Sequence, residues 1–123
     1  MKSTTRSYKD LLVWQKGIAL ARLIYRLTVA FPAAEKFGLI AQMRRAAVSI
    51  PSNIAEGQAR HTTGEFIHFI SHAEGSLAEL DTQLILSVDL NFCSETAATP
   101  AFGFIEEERR MLNALRRKLT ARR

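Results

Sequence analysis

Residues 44–60 read RRAAVSIPSNIAEGQAR, and they keep a helical rhythm straight through a proline. Ile40, Met43, Ala47, Ile50 and Ile54 recur at spacings of three and four, which places them on one face of a helix. A loop at Pro51 would have no reason to preserve that phase. Proline removes its own N–H and crowds the carbonyl of Ala47, a cost of roughly 3 kcal/mol in a regular helix interior. The spacing therefore predicts a proline-kinked second helix over about residues 34–59, its bend tolerated by packing elsewhere. Ser49, Ser52, Asn53 and Glu56 line the opposite side, where Ser and Asn side chains can bond carbonyls that a kink frees. Gly57 allows a close contact or a helix end. Together with Pro51 these residues read as a structural motif, not a catalytic loop.

Three further periodic segments surround this one. The first, about residues 8–30, carries two apolar stripes: Leu11, Trp14, Ile18, Ala21 and Tyr25 on one, Val13, Leu20, Ile24, Leu27 and Phe31 on the other. A helix apolar on two faces expects neighbours on two sides. Ser7 with Asp10 has the form of a capping box at its start, and Phe31-Pro32 ends it. The third segment opens at Thr62 or Thr63 with a second capping box to Glu65, and Phe66, Ile70, Ala73, Leu77, Leu80, Leu84 and Val88 form a near-heptad seam. The run NFCSETAATP, residues 91–100, breaks it, and Thr99-Pro100 reads as an N-cap followed by proline at the first helical position. The last helix, about residues 100–120, has Glu106, Glu107 and Glu108 early and its basic residues late, the order the helix dipole favours. Four amphipathic helices with short connections and no strand-like alternation predict an all-α fold, an antiparallel up-and-down four-helix bundle over residues 8–123 behind a flexible tail, residues 1–7.

The bulk composition excludes several classes of function. With 123 residues, 47% of them hydrophobic, the chain has enough material for one modest core. No stretch approaches 18 charge-free apolar residues and no secretory signal pattern opens the sequence, so a cytoplasmic, non-membrane protein is expected. Cys93 is the only cysteine, which rules out an internal disulfide and a thiol zinc cluster. Nothing surrounds a serine like a nucleophile elbow, and the six glycines form neither a phosphate loop nor a dinucleotide fingerprint. Glu65, His68 and His72 supply a single Glu-x-x-His motif, where di-metal bundles use two. Glu65, His68, His72 and Glu79 also fall away from the apolar seam, so a metal-binding bundle is the weaker reading. No enzyme, cofactor or metal is expected.

Charge is the remaining signal. The net charge of +5 hides three blocks: residues 1–60 hold ten Lys/Arg and three Asp/Glu, residues 61–108 none and nine, and residues 109–123 seven and none. Arg109, Arg110, Arg116, Arg117, Lys118, Arg122 and Arg123 give the last helix a basic end suited to phosphate contact. Lys16, Arg22, Arg26, Arg44 and Arg45 are candidates to extend that surface. The same blocks could instead neutralise one another between subunits.

The sequence also resembles a known family. Asp10-Leu11, Val13-Trp14-Gln15-Lys16, Phe31-Pro32, Phe37-Gly38-Leu39, Gln42-Met43-Arg44-Arg45-Ala46, the run Ser49 to Gly57, Glu65-Phe66, Gly75-Ser76-Leu77 and Glu79-Leu80 look like the bacterial four-helix-bundle family of 23S rRNA intervening-sequence proteins. The resemblance covers about residues 8–90, and the last helix matches only in kind. It implies an antiparallel bundle assembling into a ring-like homopentamer. It also brings in the accessory protein of diversity-generating retroelements, similar in fold, which engages nucleic acid and a reverse transcriptase. The expected function is thus a homo-oligomeric RNA-binding or nucleic-acid-binding adaptor. The alternative is a protein-interaction scaffold whose charge serves assembly or a protein partner.

Overall fold

A computed structural model describes residues 7–122. The expected tail lies outside them except for Ser7. Four α-helices make up the fold: α1 (Leu12–Thr28), α2 (Leu39–Gln58), α3 (Thr63–Asp89) and α4 (Glu95–Arg122). Each packs against two neighbours, α1 on α2, α2 on α3, α3 on α4 and α4 back on α1. The helices therefore stand in chain order around a square, as an up-and-down bundle requires.

The near-heptad seam of α3 becomes the centre of this square. Ile70, Ala73, Leu77, Leu80 and Leu84 are buried against Leu20, Ile24, Met43, Ile50, Ile54, Leu112 and Leu119. Of the two stripes on α1, Val13, Leu20, Ile24 and Phe31 enter the core. Of the other stripe, Ala21 is buried as well, while Trp14 and Ile18 are half-buried and Tyr25 is exposed.

Helix α2 runs unbroken through Pro51, which is buried. Asn53 donates to the Ser49 carbonyl at 2.8 Å and to the Ser49 hydroxyl at 2.9 Å, and Ser49 shares a 2.9 Å hydrogen bond with Ser76 of α3. The polar back of α2 thus ties it to its neighbour, while the carbonyl that Asn53 serves is that of Ser49, not that of Ala47, which Pro51 cannot reach. Ser52 and Glu56 are exposed, Glu56 pairing with Arg60 at 2.8 Å. Gly57 is a close-approach residue: a Cβ there would lie 2.8 Å from the Cβ of Phe69 and 2.9 Å from Cδ1 of Phe66.

Three helix starts differ from the sequence reading. Ser7 accepts from the Lys9 N–H, but what it caps is a short 3₁₀ turn, Tyr8–Asp10, and extended Leu11 separates that turn from α1. A second such turn, Ala33–Glu35, precedes α2, which begins at Leu39. Helix α4 begins at Glu95, five residues before the expected position. Ser94 is the residue that caps it, its hydroxyl accepting from the Ala97 N–H at 3.0 Å. Pro100 therefore lies inside the helix, and Thr99 donates to the Glu95 carbonyl instead of capping. The Thr62 cap of α3 stands as expected, accepting from the Glu65 N–H at 3.1 Å.

Candidate nucleic-acid interface

The basic residues do not form one surface. Gly17 of α1 faces Glu108 of α4, and Lys16 pairs with Glu107 at 3.5 Å, so these antiparallel helices are level at those residues. From there Arg22 and Arg26 run toward one end of the bundle, and Arg116, Arg117, Lys118 and Arg122 toward the other. At 1.5 Å per residue the two groups stand on the order of 25 Å apart.

Five of the twelve candidate cations, Lys16 among them, are already engaged. Arg44 donates to the Thr28 hydroxyl at 2.9 Å and to the Tyr25 carbonyl at 3.3 Å, and its guanidinium lies 4.6 Å from the Tyr25 ring centre. Arg109 and Arg110 both pair with Glu106, and the Arg109 hydrogen bond holds the Glu106 carboxyl below its ordinary range. Arg116 donates through Nε to Glu74 at 3.1 Å and through Nη2 to the Ser71 hydroxyl at 2.6 Å, which pins α4 to α3. Arg22, Arg26, Arg45, Arg117, Lys118 and Arg122 are exposed and carry no ion pair among the described residues. Arg123 lies outside those residues. The unpaired cations at the end of α4 are thus Arg117, Lys118 and Arg122, on a helix whose C-terminus favours bound positive charge but whose side chains still reach solvent.

The sequence reading places one charged residue, Glu108, with the dipole-favoured glutamates of the last helix and misses its burial. Glu108 is completely buried, and neither of its carboxyl oxygens has a hydrogen-bond partner among the described residues. A Cβ on Gly17 would stand 3.0 Å from its Oε2 and 3.4 Å from the Cβ of Pro51, so the missing side chain makes the space that the carboxyl occupies. Burial, with the Glu107 charge adding to it and Lys16 opposing it, pushes the Glu108 carboxyl from 4.5 up to about 8. The group is accordingly a neutral acid at pH 7. Its position offered a weak signal, because Ile105, Glu108 and Leu112 share a 3-4 spacing.

Glu65, His68, His72 and Glu79 are exposed, as their phase on the helix predicts. The His68 and His72 Nε2 atoms lie 3.1 Å apart, yet among the described residues no group of three His, Cys, Asp or Glu side chains is placed to hold a metal ion. Burial pushes the Cys93 thiol up, away from a reactive thiolate. No helix of the described chain is long and apolar enough to cross a membrane.

The sequence matches the family described as 23S rRNA-intervening sequence protein over residues 9–114, most of the chain. The chain belongs to that family. No curated protein matches it in sequence. A solved structure from Bacteroides thetaiotaomicron, described as a protein of unknown function from the S23 ribosomal protein family, superposes with a TM-score of 0.76. At 20% identity, over 85% of this chain and 97% of that one, it supports the bundle fold alone. The 23S rRNA-intervening sequence protein match stops at residue 114, before Arg116. The free basic end of α4 therefore lies beyond the part of the chain that carries the family pattern, while Gly17, Pro51, Gly57 and Glu108 lie within it.

Proposed function

We propose that this protein is a non-enzymatic, self-associating adaptor that binds RNA through the C-terminal end of α4. One observation supports this above the others: Arg117, Lys118 and Arg122 are exposed in the last turns of the helix with no acidic partner among the described residues, whereas Arg109, Arg110 and Arg116 are held by Glu106 and Glu74. Unpaired cations on a rigid helix suit phosphate contact, which depends on charge more than on base identity. The family description names a 23S rRNA context, which makes RNA the nucleic acid to test first. Self-association is supported by the surface stripe of α1, where Trp14, Ile18 and Tyr25 remain open to solvent in a single chain. The family resemblance suggests five copies, a mass near five times the 13.8 kDa of one chain.

The test is the salt dependence of binding to a structured RNA pool. Replacing Arg117, Lys118 and Arg122 together with glutamine should weaken binding and flatten the log–log salt slope by about 0.7 per lost single-strand phosphate contact. An unchanged slope would remove this end of α4 as the binding surface. A protein that binds no RNA at any salt, yet remains associated with itself, would instead be a protein-interaction scaffold.

A further inference from the structure

Two grooves on opposite sides of the bundle have complementary chemistry. On the α1–α2 side, the open stripe forms an apolar surface around Trp14, Ile18 and Val48, and its continuation along α1 past Tyr25 carries Arg22 and Arg26. Val48 and Tyr25 are each 43% exposed, an unusual outlay of large apolar surface beside unpaired arginines. On the α3–α4 side, Leu77, Phe102 and Ile105 floor a groove of about 370 Å³ rimmed by Glu74, Asp81 and Glu106, with Arg109 beside Glu106. Arg116 occupies Glu74, and Arg109 and Arg110 occupy Glu106, so Asp81 is the rim carboxylate left without an ion pair among the described residues. One turn beyond Asp81, Ile85 is 49% exposed and extends the apolar floor.

We infer that the occupant of the acidic α3–α4 groove is the basic α1 stripe of a second copy of this chain, with Arg22 and Arg26 meeting Asp81. The inference rests on the self-association proposed above and names its contact surfaces. A two-fold dimer would set each groove against itself, arginines facing arginines or carboxylates facing carboxylates. Complementary grooves on opposite sides of one molecule instead join head to tail, so each added copy leaves one groove of each kind open until a ring closes. Height along the bundle favours closure. Because Gly17 is level with Glu108, the α4 wall of the acidic groove, Phe102 to Arg109, is level with about residues 16–23 of α1, where the basic stripe lies. Copies joined at equal height add little rise, one of the two conditions for a ring over a filament, the other being a rotation that closes.

The experiment measures the mass of the full chain by light scattering at low salt for the unaltered protein, Arg22→Glu with Arg26→Glu, Asp81→Lys, and all three changes combined, with circular dichroism as a check on folding. Arg22 and Arg26 are exposed and Asp81 is partly so, which keeps these changes out of the core. Each reversal alone should weaken association about tenfold or more, since like charges then face one another, and the combined variant should recover the original mass. An unaltered protein that associates while both reversals keep its mass overturns the assignment of faces but not self-association. A protein that stays monomeric at every concentration overturns the self-association reading, and this inference with it.

Discussion

At the scale of single residues, Glu108 is the position where sequence and structure part most sharply. Read along the chain it is the third of three successive glutamates in an amphipathic helix; in the bundle it is buried opposite Gly17 of α1 and near Pro51 of α2. The cost of that placement has a definite sign. The folded protein keeps the proton up to about pH 8, whereas the unfolded chain releases it near 4.5, so the folded state holds more protons between those values. Stability should fall as pH rises through that window and level off above it, a loss on the order of 3–5 kcal/mol. Glu108→Gln keeps the shape without the charge. Its melting temperature should be nearly independent of pH between 5 and 9, and at the alkaline end it should exceed that of the unaltered protein. Parallel melting curves for the two proteins across this range would mean that Glu108 ionises at little cost. Glycines make a second residue-scale contrast. Gly57→Ala would force a Cβ into Phe66 and Phe69 and should destabilise by about 1–3 kcal/mol, while Gly75, with nothing within 4 Å of the equivalent atom, should accept alanine with a gain of up to about 1 kcal/mol. Chemical denaturation of the two variants reads both signs.

At the scale of elements, periodicity was a sound guide to which helices exist and a poor one to where they begin. The α3 seam is legible because every third or fourth residue from Phe66 to Leu84 is apolar and its partners surround it. The start of α4 is not, because two local signals compete. Thr99-Pro100 has the sequence form of a cap and first turn, but Ser94 offers the same hydroxyl five residues earlier, and Ala98 and Ala101 are buried against the rest of the bundle. Burial of that extra turn outweighs one backbone hydrogen bond lost at Pro100, near the helix start where little of the ladder is interrupted. Ser94→Ala should therefore cost about 1 kcal/mol, as removal of an N-cap does, whereas Thr99→Ala should change stability by much less. Equal losses in the two variants, measured by urea denaturation, would place the functional cap at Thr99. The same competition explains α1: Ser7 and Asp10 carry a capping pattern, yet the turn they begin closes at Leu11 before the core-facing register of Val13, Leu20 and Ile24 starts.

At the scale of the whole molecule, the charge blocks were plain in the sequence while their partition into two surfaces was not. Counting places seven basic residues in the last fifteen; only the order of helices around the square reveals that Arg116 is spent on Glu74 and that Arg22 and Arg26 stand at the other end from Lys118. Two separated surfaces with different chemistry should respond differently to salt. The contact proposed for the grooves is chiefly apolar, with a few charges at its rim, so screening weakens it modestly. The phosphate contact proposed for the end of α4 would be electrostatic throughout and would release counterions as it forms. Raising salt from low concentration to roughly 0.5 M should thus strip RNA from the assembly before the assembly itself comes apart. Light scattering with absorbance at two wavelengths follows both masses in one titration. Simultaneous loss of RNA and of self-association would mean that the two surfaces are one, with RNA holding the copies together, and the division of labour drawn between α1 and α4 would fail.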